Sequence, residues 1–101
     1  MSKVYAYGRL ALANEEEKRK KLKIIYNYCH NHNLNIDRYF FDSGVSGLEL
    51  NRKDFNALID VLRGDDIVVV DGVSSISRSM FECVTVIRLI EDIGAKLIII
   101  R

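Results

Sequence analysis

Gly64-Asp65-Asp66-Ile67-Val68-Val69-Val70-Asp71-Gly72 places four β-branched residues in a row between polar turn residues. The run is too short for a helix that packs on its own. It fits a strand covered on both faces, as in a parallel sheet. Such a strand needs helices before and after it.

The flanking sequence supplies them. Upstream, Phe55, Leu58, Ile59 and Leu62 recur at helical spacing after Asn51 or Lys53, and Gly64 is placed to close that helix in a left-handed cap. Downstream, Ser79 and Glu82 form a capping box ahead of Met80, Val84, Ile87, Ile90 and Ile93, with Gly94 at the end. Residues 96–100 then read as a last strand. Towards the N-terminus, residues 36–42 (IDRYFFD) and 4–8 read as two more strands. Between them runs a helix that Asn14 can cap with Glu17, its apolar side formed by Leu22, Ile25, Tyr26 and Cys29. Alternating strands and helices predict an α/β three-layer sandwich with a mostly parallel central sheet, one domain over residues 1–101.

Composition agrees with a folded domain and narrows its surroundings. The chain of 101 residues is 49% apolar and 29% charged, with a formal net charge of +1 and no proline. Nothing global marks a strong polyanion binder. The apolar runs are far too short to span a bilayer, so no membrane association is expected. Cys29 and Cys83 do not form a disulfide framework, and a cytoplasmic location is expected. Cys29-His30-Asn31-His32 lacks a second ligand cluster, so no metal is expected. The basic residues of 18–23 read as a solvated face balanced by Glu15, Glu16 and Glu17.

In parallel sheets, chemistry gathers in the loops at the carboxyl ends of the strands. Here those loops begin near Gly8, Asp42 and Asp71, and the first has Arg9 directly after its strand. The second gives Asp42, Ser43, Ser46 and then Arg52; the third gives Asp71, Ser74, Ser75, Ser77 and Arg78. Three arginines from three loops can converge on one anion, because guanidinium forks match phosphate oxygens. Each can equally be a surface residue paired with a nearby aspartate, and the serines can be caps and turn residues.

Three of these stretches carry a resemblance. Tyr7-Gly8-Arg9-Leu10-Ala11 resembles the Tyr-x-Arg-Val-Ser start of the serine site-specific recombinase (resolvase/invertase) catalytic domain. Phe41-Asp42-Ser43-Gly44-Val45-Ser46-Gly47 with Arg52 is similar to that family's Asp…Ser-Gly…Arg segment. Gly64-Asp65 and then Val73-Ser74-Ser75-Ile76-Ser77-Arg78 resemble its Gly-Asp…Leu-Asp-Arg-Leu-Gly-Arg. The pieces follow family order over essentially the whole chain. The resemblance implies a domain that acts on duplex DNA through a phosphoserine intermediate, without a cofactor. Arg9, Arg52 and Arg78 would bind phosphate, with Asp42 and Ser46 supporting the site. It also implies assembly as a homo-oligomer (dimer or tetramer) or with an active relative. The family's dimerisation helix and DNA-binding domain would lie outside this chain.

The departures concern the chemistry itself. Ala11 stands at the nucleophile position and has no oxygen to form the covalent bond. Ser74-Ser75 replace the Asp-Arg pair, and Glu15 stands where the family has glutamine. The resemblance with these losses implies a catalytically impaired domain for DNA integration, resolution or inversion. Two alternatives stay open: an active recombinase carrying a laboratory serine-to-alanine change at 11, or a flavodoxin-like anion-binding or regulatory module.

Overall fold

The computed structural model describes residues 2–10, 15–43, 52–77 and 79–100. Four strands, β1 (Val4–Leu10), β2 (Arg38–Ser43), β3 (Ile67–Val70) and β4 (Lys96–Ile99), form one sheet in the order β2-β1-β3-β4. Every neighbouring pair among them is parallel, so the expected mostly parallel sheet is wholly so across the described strands. Parallel pairing requires crossover connections. These are α1 (Glu15–Asn31), α2 (Lys53–Val61) and α4 (Met80–Ile93), with a single turn, α3 (Val73–Ile76), inserted before α4.

Strand side chains alternate between two cores. Val4, Ala6 and Val69 pack with Ile25 and Cys29 of α1. Tyr5, Tyr7, Val68 and Val70 pack with Phe55 and Leu58 of α2 and with Cys83 and Ile90 of α4. The layers are therefore α1, sheet, and α2 with α4. The chain steps from β1 to β2 on one side and returns to β3 on the other, which places a topological switch at the carboxyl ends of β1 and β3. No helix among the described residues is long and apolar enough to cross a membrane.

Several local expectations are corrected. β1 continues through Leu10, because Arg9 and Leu10 stay in register with Asp42 and Ser43, so Arg9 lies within the strand. α2 ends at Leu62 in extended conformation, and the left-handed residue of the following turn is Asp65 (φ 73°), not Gly64. The Asp66 carboxylate fixes that turn by accepting from the Arg63 amide at 2.9 Å. Gly94 does close α4 in the left-handed region (φ 94°). The apolar stripe of α1 is narrower than its spacing suggests. Ile25 and Cys29 are buried over the sheet centre, whereas Tyr26 is 55% exposed towards edge strand β2. On α4 the face of Cys83 and Ile90 meets the core, leaving Met80 and Val84 exposed. Ser79 caps the Glu82 amide, yet the Glu82 carboxylate accepts from Ser77 Oγ at 2.6 Å, and Ser77 Oγ accepts from the Ser79 amide. A relay through Ser77 thus replaces the reciprocal capping box.

Candidate functional site

The carboxyl ends of β1 and β2 gather a buried polar cluster on the face that carries α2. Its centre is Asp42, 4% exposed. One carboxylate oxygen accepts from the Tyr7 hydroxyl at 2.7 Å and from the Phe55 amide at 3.0 Å; the other accepts from the Asp54 amide at 2.7 Å. The two amides belong to the first turn of α2, whose own N-cap residue, Arg52, supplies no side-chain cap. Asp42 therefore caps a helix from the neighbouring strand.

Tyr7 is held as a neutral phenol. Burial, the hydrogen bond to Asp42 and the charge of Asp42 push its pKa far above the ordinary tyrosine range, while Arg52 and Arg9 oppose that shift. Both arginines thus exert a positive field on one phenol. Arg9 is half-buried and shares the strand face of Tyr5 and Tyr7. Arg52 lies just before α2, its side chain 14% exposed and its guanidinium carbon 5.2 Å from the centre of the Phe55 ring. Arg52 Nη2 donates to the Ile76 carbonyl and stands 4.0 Å from Glu82 Oε1. Arg52 Nη1 is buried and has no hydrogen-bond partner among the described residues. A buried guanidinium nitrogen without an acceptor is costly, and an anionic oxygen would relieve that cost.

The third strand end is occupied differently. Asp71 pairs with Lys21 Nζ of α1 at 2.8 Å and accepts from the Ser75 hydroxyl. Ser75 is 1% exposed, so its hydroxyl is an internal donor, whereas Ser74 is exposed. Glu15 is exposed as the first residue of α1. Ala11, Ser46 and Arg78 lie outside the described residues. Of the residues singled out from sequence, the structure brings together Arg9, Asp42 and Arg52, and turns Ser75 towards Asp71.

Tyr7, as the partner of Asp42, and Lys21, as the partner of Asp71, were missed. Lys21 had a readable signal: it precedes Ile25 and Cys29 at four-residue steps, so it lies on the buried side of α1 rather than on its solvated face. Cys29 is buried, while His30 and His32 are exposed and stack on Tyr26 and Tyr28.

Residues 4–101 match the family model described as Resolvase, N terminal domain. No curated protein sequence matches the chain. Among solved structures, the N-terminal catalytic domain of TP901-1 integrase is similar with a TM-score of 0.81 at 20% identity, over 98% of this chain and 77% of that one. The C-terminal catalytic domain of ISC1926 TnpA, an IS607-like serine recombinase, gives 0.80 at 18% identity, over 98% and 67%. A resolvase family site-specific recombinase from Streptococcus pneumoniae gives 0.77 at 21% identity, over 99% and 72%. At these identities the likeness speaks for the fold.

Proposed function

The chain belongs to the resolvase N-terminal domain family, and from that premise we propose that it is a phosphate-gripping serine-recombinase domain that no longer cuts DNA. The observation that carries this reading is Arg52 Nη1, buried and without a partner among the described residues, beside the Tyr7–Asp42 pair that Arg9 also faces. In the proposed role Arg9 and Arg52, with Arg78, hold a backbone phosphate of duplex DNA. Asp42 is a positioning residue, since it orders the start of α2 from which Arg52 projects. The family likeness gives Ser46 a supporting role as well.

The covalent step needs more than this grip. Transfer through a serine requires an oxygen at position 11, and Ala11 has none. It also requires the transition-state charge to be offset by donors already in place. Ser75, at the position of the family's second guanidinium, donates to Asp71, and Ser74 supplies no carboxylate. Two parts of the machinery are thus absent together. The domain serves in recombination as an assembly subunit in the cytoplasm, paired with a second copy or with an active relative.

The test is covalent capture on nicked duplex DNA, read on denaturing gels, with the chain as given and with Ala11→Ser. The expected result is no protein–DNA adduct from either form. Duplex binding is expected to fall about tenfold or more on Arg52→Ala, the usual weight of one charge-assisted contact. An adduct from Ala11→Ser alone would overturn the reading, because the rest of the site would then be sufficient for cleavage. Binding indifferent to Arg9→Ala and Arg52→Ala would remove the phosphate grip.

A further inference from the structure

At the outer edge of the sheet, α1 and edge strand β2, with Asp54 at the start of α2, line an open groove of ≈ 690 Å³. Its rim carries Lys18, Arg19 and Lys23, and its floor is Leu22, Tyr26, Tyr39 and Phe41. A second hollow of ≈ 200 Å³ shares Tyr26 and Tyr39 and extends the groove to His30. Among the described residues no ion pair occupies Lys18, Arg19 or Lys23. The acidic lining residue, Asp54, already accepts from the Phe41 amide at 3.0 Å. Lys18 Nζ lies 5.6 Å from the centre of the Phe41 ring. Tyr26 and Tyr39 are 55% and 39% exposed, and the His30 ring stacks on Tyr26 with 12° between the planes.

We propose that this groove binds a short stretch of single-stranded nucleic acid. Cations along a groove whose floor offers partly exposed rings match what unpaired strands require, phosphate neutralisation beside base stacking. From Lys18 to His30 the helix rises about 18 Å, room for about five stacked nucleotides at about 3.4 Å each. Duplex DNA keeps its base faces inside the stack and cannot use Tyr26 or Tyr39. A peptide adding to the edge of β2 would need the outward amide of Phe41, which Asp54 holds. The groove starts beside the carboxyl ends of the strands, near Lys18 and Asp54, and leads away from them. The cations and rings of the groove belong to α1 and β2, whereas the phosphate grip centres on the Arg52 guanidinium beside Phe55.

The test is fluorescence anisotropy with a labelled ten-nucleotide oligothymidine, the same length of duplex, and an acidic amphipathic peptide. The variants are Tyr26→Ala and the pair Arg19→Glu with Lys23→Glu, all at exposed positions, with urea midpoints confirming the fold. Oligothymidine is expected to bind more tightly than duplex. Tyr26→Ala should weaken it about five- to a hundredfold, the weight of one base stacked on a ring. The charge-reversed pair should weaken it further and flatten its salt dependence. Oligothymidine binding unchanged in both variants would overturn the proposal. So would binding lost only in Arg52→Ala, which places the strand at the phosphate grip, or capture of the acidic peptide alone.

Discussion

Tyr7 on β1 donates its hydroxyl to Asp42 on β2 at 2.7 Å, and through Asp42 it is tied to the first turn of α2. A strand-to-strand contact therefore decides where a helix begins. Asp42→Ala strands three donors in the interior and is expected to cost about 3 kcal/mol or more. Asp42→Asn keeps one carbonyl oxygen and should cost about half as much. Tyr7→Phe removes one donor from an acceptor that retains two, for about 1 kcal/mol. Urea unfolding read by circular dichroism checks the order Ala, Asn, Phe; a Tyr7→Phe loss equal to that of Asp42→Ala would mean that the helix cap contributes nothing.

The same contact predicts a pH dependence at the alkaline end. Burial and the Asp42 contact raise the Tyr7 pKa in the folded state above the ordinary value of about 10. Above that pH the unfolded chain releases the phenolic proton while the folded chain retains it, so stability falls as pH rises. Below about pH 10 this contribution is fully present and flat. Between about pH 10 and 11.5 the native chain should lose stability more steeply than Tyr7→Phe, by at most about 1.4 kcal/mol per pH unit. Parallel slopes for the two proteins would show that the phenol ionises as readily folded as unfolded.

Gly8 faces Phe41 in the β1–β2 register, and the ring lies over the glycine. A Cβ on Gly8 would fall 2.9 Å from Phe41 Cδ1, and closer still to Cε1, so the ring would have to swing off β1. Gly8→Ala should therefore destabilise by about 1–2 kcal/mol, overpacking outweighing the backbone entropy that alanine saves. In a Phe41→Leu background, where the ring is gone, the same change should be neutral or stabilising. A double-mutant cycle measures the difference; additive effects would mean that the ring does not rest on Gly8.

How much of this was legible in sequence follows from what each signal encodes. The β-branched run of β3 and the Ser79 and Gly94 caps of α4 report local backbone preference, and the structure carries them, with Ser77 taking the place of the reciprocal partner of the box. Local preference failed at Gly64, because the Asp66 carboxylate organises that turn and passes the left-handed conformation to Asp65. The pairing of Asp42 with Tyr7 spans 35 residues, and no periodicity reports a contact of that kind. Family likeness placed Asp42 in the site without revealing that its carboxylate is a helix cap. The exposure of Tyr26 was hidden for a related reason. Helical spacing locates a face, but the width of the sheet beneath it determines how much of that face is covered.

Arg52 joins function to stability, and its substitution separates the two. The guanidinium is largely buried, bonded to the Ile76 carbonyl, and distant by salt-bridge standards from Glu82 at 4.0 Å. Its Nη1 has no partner among the described residues. Replacing it with methionine, which retains much of the packing against Phe55, removes an under-satisfied charge and forfeits one bond to a carbonyl. These effects oppose each other, so Arg52→Met should shift unfolding free energy by no more than about 1 kcal/mol in phosphate-free buffer. Phosphate should then tell the two proteins apart. If inorganic phosphate binds the native chain with a Kd of about 5 mM, then about 50 mM stabilises it by about 1.4 kcal/mol through mass action. Arg52→Met should show almost none of that gain. Equal stabilisation of both proteins by phosphate would place the anion elsewhere and leave the buried nitrogen as a purely structural cost.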